Sequence, residues 1–257
     1  MTPQPKTKFN EILERINLLD GAGAESDIAL RQLKREIEAV ATHDRTEGFE
    51  LYGILAAQSE DVEETRRCFE AARKLEPRNT SVLLNYAAAL SRFGMYSDVR
   101  SQLQLAHTLD PSDLSVLDRY IGAAGLCCRF KDAMGLLQTR YQLTGSAFEP
   151  LEKEFRTIHL FLAAAGVSDD DGEEIMGYAA DTLRAAKVFD VFTDNRLASD
   201  EDSQWLNVNI SVRRPVEVAV ELNEELAERE ASSNLRASSL MSVSAIFIPV
   251  RTHVRHA

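Results

Sequence analysis

The sequence is poor in the residues that punctuate or cross-link a chain. Its 257 residues contain 3 cysteines, 7 prolines, 12 glycines and 1 tryptophan. So little proline and glycine excludes collagen-like and linker-like composition, and 44% hydrophobic residues are enough for a buried core. The cysteine count is odd, and adjacent Cys127 and Cys128 cannot easily bridge each other. This favours a reduced, cytoplasmic location over a disulfide framework.

Long apolar runs and basic charge are also scarce. No run of about 18 apolar residues could form a transmembrane helix, and Met1–Leu18 lacks the apolar stretch of a secretory signal. The net charge is −12, and residues 160–230 hold 17 acidic but only 6 basic residues. Phosphate groups need lysine and arginine, so nucleic acid and anionic membrane are excluded as partners of this region. A solvated acidic face and a basic partner both remain open.

Motifs that carry catalysis are missing as well. The chain has no zinc-type Cys-x-x-Cys pair, no Gly-x-Ser-x-Gly, no Rossmann glycine fingerprint and no His-Glu-x-x-His. Residues 168–174 are acidic but lack the alternating spacing of an EF-hand, so we predict that Ser168 caps a helix. We predict no catalytic, metal-binding or cofactor-binding residue, and nothing makes a positive case for an enzyme.

What the sequence does contain is an internal repeat. Pro77 and Pro111 lie 34 residues apart and end similar segments, which defines the frames 46–79, 80–113 and 114–147. Within each frame, apolar residues recur at helical steps of three and four. One helix pair cannot bury such a stripe alone, so neighbouring pairs are expected to stack.

These frames resemble the tetratricopeptide repeat (TPR) family. Large apolar residues fill positions 4, 7 and 24, and small ones fill position 8 of the first two frames. The matching residues are Phe49, Leu83, Leu117, Tyr52, Tyr86, Tyr120, Phe69, Leu103, Leu137, Gly53 and Ala87. The third frame departs from the pattern at Ile121, Arg140 and Gly145. The resemblance implies a mainly α fold, a helical-hairpin solenoid.

The family binds peptides or proteins in a groove lined by the first helix of each repeat. Its groove positions correspond here to Glu47, Glu50, Ile54, Ala57, Gln58, Ser81, Leu84, Ala88, Ser91, Arg92, Ser115, Asp118, Gly122, Gly125 and Leu126. Position 5 holds Glu50, Leu84 and Asp118, so the basic clamp that some members use for carboxylates is not matched. Acids, small residues and aliphatics favour an apolar helix or strand with positive charge.

The segments around the repeats complete the predicted organisation. Residues 1–45 contain two amphipathic helices, at 7–19 and 26–42, expected to cap the first repeat. Residues 148–187 contain a helix at 150–165 that covers the third repeat and another that starts at Ser168. Residues 188–257 are predicted to form a small α/β module that docks on the helices or pairs with a second copy.

Alternation and apolar runs locate the elements of that module. Leu206–Val212 alternates cleanly and predicts a strand with one buried face. Strands are also predicted within 188–193 and at 245–250, where Pro249 indicates an edge or an end. Residues 216–230 favour a helix, with a strand over 216–222 as the alternative. The serine-rich segment 231–242 is predicted to be a loop.

The functional prediction is a protein–protein interaction adaptor whose groove binds a peptide or protein segment. An inhibitor or immunity-type protein and an assembly factor are narrower forms of it. Two alternatives remain open: an enzyme with its site near Trp205 or the 200–202 loop, and a homo-oligomer held together by the C-terminal module. The groove could also be occupied by that module of the same chain.

Overall fold

A computed structural model describes residues 7–19, 25–201 and 203–250, with backbone only for 25–27. Over these ranges the chain forms helices in antiparallel hairpins, followed by a small α/β part, which confirms the predicted fold class. The helices α1–α12 are Lys8–Asn17, Glu25–His43, Arg45–Gln58, Val62–Leu75, Thr80–Arg92, Tyr96–Leu109, Leu114–Leu126, Phe130–Thr144, Leu151–Ala165, Asp169–Ala185, Val216–Ala231 and Ala237–Ser242. The strands β1–β3 are Phe192–Ser199, Gln204–Val212 and Val243–Pro249.

The chain divides into two compact units, Met1–Leu90 and Ser91–Ala257, here called unit 1 and unit 2. In unit 1, α1 and α2 pack on α3, as expected of a cap on the first repeat. Their contact is a small apolar core formed by Ile12, Ile16, Leu33, Ile37, Leu51 and Leu55. Asp44 and Asp61 cap α3 and α4 by accepting backbone N–H groups of Glu47 and Glu64.

The α3–α4 hairpin shows why the repeat pattern needs small residues. A Cβ on Gly53 would lie 2.7 Å from atoms of the Phe69 ring, so the helices approach as closely as glycine permits. The same ring stacks on Tyr86 of α5, with centroids 4.9 Å apart and planes 10° from parallel. Repeat positions 8, 24 and 7 therefore meet in one aromatic contact.

Unit 2 has a larger core, to which α7, α8, α9, α10, α11 and the sheet all contribute. The α7–α8 hairpin forms although its sequence departs from the repeat pattern, and Ile121 is fully buried where a small residue was expected. Helix α9 lies against this hairpin and buries Phe155, Ile158 and Leu162. The C-terminal module thus docks on the helices through a shared core.

Helix α10 is fastened to its neighbours by charge. Arg129, at the start of α8, donates to Asp170 at 2.6 Å and to Glu173 at 2.7 Å, and Arg100 of α6 donates to Glu173 at 3.1 Å. Asp169 accepts the first free N–H groups of α8, those of Lys131 and Asp132. Ser168 caps α10 in a capping box with Asp171, which confirms the predicted cap.

The sheet has the order β1-β2-β3, with β1 antiparallel and β3 parallel to β2. Alternate residues of β2 are buried, as its pattern predicts. The segment 216–230 is helical, so the strand alternative is wrong there; Ala219, Leu222 and Leu226 form its buried stripe. Strand β3 lies at an edge of the sheet and ends at Pro249, both as expected.

Two local predictions are wrong. The strand expected within 188–193 begins only at Phe192, because Val188 and Phe189 are buried in an irregular segment after α10, with Phe189 edge-on to Phe93 at 5.1 Å. The serine-rich loop expected at 231–242 contains α12 from Ala237 onward. Its Ser239 is fully buried and donates to Asp171, a contact that fixes this short helix.

Candidate functional site

In unit 1, the predicted groove positions of α3 and α5 lie on neighbouring helices joined by one polar contact. Asn85 of α5 donates its side-chain amide to Glu50 of α3 at 2.5 Å. Glu50 is only 4% exposed. Around this pair, Glu47 and Leu84 are half-buried, whereas Ser81 and Ala88 are exposed. The spacing of the repeats identified Glu50 but not Asn85, which occupies an adjacent position of its helix.

This part of the face is acidic. Burial raises the pKa of Glu50 above its ordinary value, and the charges of Glu47, Glu76 and Asp44 raise it further, while the hydrogen bond from Asn85 opposes them. Burial, Asp44 and Glu76 likewise raise the pKa of Glu47. Among the described residues, no lysine or arginine forms an ion pair with these four carboxylates. The negative charge of this end is therefore uncompensated within unit 1.

The remaining unit 1 positions are more enclosed. Ile54 packs against the apolar core that α1 and α2 form with α3. Ala57 is buried, and Gln58 is half-buried with an interaction of its own. The part of the face that offers both exposed and charged groups is thus the part around Glu47, Glu50, Ser81 and Leu84.

In unit 2, several predicted groove positions are engaged by the chain itself. Arg92 donates to Asp190 at 3.0 Å, and Asp118 accepts from Arg140 at 2.6 Å. Leu126 packs against the main core. Ser91 is half-buried and has an interaction of its own, whereas Ser115 is exposed.

The middle of α7 shows how the face is covered. A Cβ on Gly125 would lie 2.4 Å from the Phe155 ring of α9, so α9 lies directly on this residue. The carbonyl oxygen of Gly125 accepts from the amide of Asn195 on β1 at 3.2 Å. One turn earlier the face is open, since a Cβ on Gly122 would meet nothing within 4 Å. The C-terminal segments of the chain therefore occupy the α7 end of the predicted groove.

The described residues at the alternative enzyme site form hydrogen bonds with near neighbours in the sequence. The Trp205 indole donates to Asn207 at 3.0 Å, and Asp200 accepts from Ser203 at 2.8 Å, while residue 202 lies outside the described ranges. The three cysteines are buried free thiols, and burial raises the pKa of Cys68 and Cys127 to about 12. Such thiols stay protonated at neutral pH and are poor nucleophiles.

The described residues show no metal-binding cluster and no membrane-spanning helix. Within the described ranges, no three His, Cys, Asp or Glu side chains cluster in a way that could hold a metal ion. Across the same part of the chain, no helix combines the length and the apolar character needed to cross a bilayer. His253 and His256 lie outside the described residues.

Comparison with known proteins gives a structural match but no match to a family or to a curated protein. No family model matches the chain, and a search of curated proteins finds no match. Among solved structures, the chain is similar to the first TPR of Spaghetti (RPAP3) bound to the HSP90 peptide SRMEEVD. The two share 21% sequence identity over 46% of this chain and 95% of that chain, with a TM-score of 0.36.

Proposed function

We propose that this chain is a protein–protein interaction adaptor of the TPR type, which binds a peptide or protein segment through the groove face of its repeats. The observation that carries the proposal is the uncompensated acidic end of the unit 1 face, where Glu50 is buried beside Glu47, Asp44 and Glu76. The partner-contacting role is assigned to Glu47, Glu50, Ser81, Leu84 and Ala88, of which Glu50 is buried and the other four are half-buried or exposed.

The chemistry of Glu50 supports a cationic ligand group. A carboxylate that is buried without a positive partner is destabilised in its ionised form, which is why its pKa is raised. Asn85 supplies one neutral donor and no charge. A lysine or arginine of the partner would supply the missing charge, and its hydrogen bond to a carboxylate would be shorter and stronger than a neutral one.

The surroundings of Glu50 support a polypeptide rather than a small cation. Exposed Ser81 and Ala88 leave room for a backbone to approach α5, and Leu84 between them offers an apolar contact. A helix or strand with a basic residue flanked by apolar ones matches this arrangement. An inhibitor that covers a basic site and an assembly factor both fit this description, and the buried free thiols favour a cytoplasmic setting.

The third repeat contributes less to this proposal. Its groove positions at Asp118 and Leu126 are engaged by residues of the same chain, and α9 covers Gly125 between them. We therefore propose that the C-terminal segments of the chain fill the α7 end of the groove, and that the external partner binds the unit 1 face.

The test is quantitative capture of partners from the native host by wild-type protein and by the double variant Glu47→Gln, Glu50→Gln. Removing both charges is expected to lower recovery of the partner at least fivefold, because the cationic group loses its counter-charge. The matched control is Glu221→Gln, Glu224→Gln, the same change on two exposed acids of α11. If both double variants recover the partner as well as wild type, the groove assignment is wrong.

A further inference from the structure

The two edge strands of the small sheet, β1 and β3, differ in whether their outward backbone groups have hydrogen-bond partners. At β3, the side chain of Asn223 binds the backbone of Phe247 twice, donating to its carbonyl oxygen at 2.9 Å and accepting from its N–H at 2.8 Å. Pro249 lies two residues further along β3, so its backbone also faces the free edge, but proline has no N–H group that could pair there. These two features protect the β3 edge from pairing with another strand.

The hydrogen-bond alternation shows which groups β1 presents. Asp200 donates its N–H to the carbonyl oxygen of Ser203 at 3.0 Å, which sets the pairs of β1 and β2 that exchange hydrogen bonds. Because such pairs alternate along an antiparallel ladder, every second residue before Asp200 also bonds to β2. These residues are Ala198, Arg196 and Asp194. On the other side of β2, the N–H of Val250 donates to Val212 at 2.9 Å, which agrees with the same alternation.

The intervening residues of β1 therefore turn their backbone groups to the free edge. These residues are Thr193, Asn195 and Leu197, and no backbone hydrogen bond satisfies them within the described ranges. The edge opens into a groove of about 370 Å³, with Asn195 and Leu197 on one wall. The other wall is formed by Pro150, which precedes α9, and by Lys153, Glu154, Thr157 and Ile158 of that helix. One atom of its wall, Oδ1 of Asn195, is buried and has no hydrogen-bond partner in the described structure.

We propose that this groove binds an extended segment of a partner protein, which adds to β1 as a fourth strand. Its backbone pairs with Thr193, Asn195 and Leu197. Its alternate side chains are apolar where they face Ile158 and Leu197, and a lysine or arginine lies beside Glu154. This site lies wholly in unit 2 and is separate from the acidic face of unit 1.

Charge and space favour this occupant over a second copy of the chain. Glu154 has no ion-pair partner in the described structure, and the nearby charge of Asp194 adds to burial in raising its pKa. A basic side chain beside Glu154 would stabilise its ionised form and so oppose both effects. Helix α9 forms the far wall of the groove, so the space admits a single extended chain. A strand of a second copy would arrive with its own packed helices behind it.

The experiment uses the full chain and amide hydrogen exchange measured by NMR. In the free protein, the amides of Thr193, Asn195 and Leu197 are expected to exchange faster than those of Asp194 and Arg196. The probe is the capped hexapeptide acetyl-Lys-Val-Thr-Val-Lys-Val-amide. At millimolar concentration it is expected to slow the three edge amides at least tenfold.

Two controls separate strand addition from nonspecific binding. Glu154→Lys is expected to weaken peptide binding about fivefold, whereas Glu221→Lys, the same change on an exposed residue of α11, leaves it unchanged. Two further probes carry N-methyl groups on alternate residues of the peptide. One probe loses the N–H donors that face β1 and should fail to bind, whereas the other loses the donors that face away and should still bind.

Several results would overturn the proposal. One is the absence of any slowing at the three edge amides, and another is equal binding of both N-methylated probes. A third is slowing that needs no peptide and grows with protein concentration, because the edge would then pair with a second copy.

Discussion

Replacing Asn223 by alanine tests how the sheet edge at β3 is held. Asparagine is a poor residue for a helix interior, yet it sits inside α11, where its amide forms two hydrogen bonds with the backbone of Phe247. Judged by helix propensity alone, Asn223→Ala should stabilise the protein by about 0.6 kcal/mol. Judged by the structure, the same change removes both groups that, among the described residues, satisfy the outward N–H and carbonyl of Phe247.

The magnitude follows from the two hydrogen bonds. Each contributes about 1 kcal/mol net, and a backbone group left unsatisfied in a partly buried site loses at least that much. The loss is therefore about 2 kcal/mol, against the gain of about 0.6 kcal/mol in helix propensity. The expected outcome is a net destabilisation of unit 2 by about 1.5 kcal/mol, opposite in sign to the propensity argument.

The assay is urea unfolding followed by fluorescence of Trp205, the single tryptophan of the chain, which lies on β2. With an m-value of about 2 kcal/mol/M, the midpoint should fall by roughly 0.7 M. Glu224→Ala, one residue along the same helix and exposed, should shift it by less than a third of that. A variant Asn223→Ala that is as stable as wild type would refute the reasoning.

Two further predictions concern the candidate groove. Gly125→Ala should destabilise unit 2 by about 1–3 kcal/mol in the same urea assay, because its Cβ would lie 2.4 Å from the Phe155 ring; the control Gly122→Ala meets no atom and should not. Burial disfavours the ionised form of Glu50 and raises its pKa in the folded protein. The stability gained from the neutral form is therefore present below the ordinary pKa of 4.5 and is lost as the pH rises through the raised pKa of the folded state. Glu50→Gln should therefore be more stable than wild type in thermal unfolding at pH 7 and equal to it near pH 3. Lower stability of this variant at pH 7 would show that Glu50 has a cationic partner within the chain.

The repeat hairpins were predictable because their determinants are local and recur. Gly53, Phe69 and Tyr86 occupy fixed positions of the pattern, and the structure brings them into one contact. Strand β2 was equally visible, since burial of one sheet face enforces alternation. Ser168 and its acids marked a helix start in the same way. In each case the signal lies within one element or within one repeat period.

The sequence predicted that the third repeat is covered, but not the individual contacts that cover it, because these contacts join distant parts of the chain. Asn195 reaches Gly125 across 70 residues, and Arg92 reaches Asp190 across 98. Neither pair follows a period that the sequence displays. Gly125 carried a weak signal, since a second glycine after Gly122 on one helix costs stability unless something lies close to it. The missed start of β1 has the same origin, because Val188 and Phe189 are apolar for the core and not for a strand.

Asn223 and Glu50 are both polar residues whose presence is unfavourable on local grounds, but only Asn223 has partners in the fold that explain it. Asn223 is a poor helix residue whose groups are fully used by the backbone of Phe247, so its presence is explained by the fold. Glu50 is a buried acid whose single described partner, Asn85, is neutral, so the fold leaves its charge without a counterpart. A glutamine at position 50 would keep the hydrogen bond and avoid the burial of charge. The protein is thus expected to be more stable without this carboxylate. Under the proposed function, a cationic group of the partner would offset that cost.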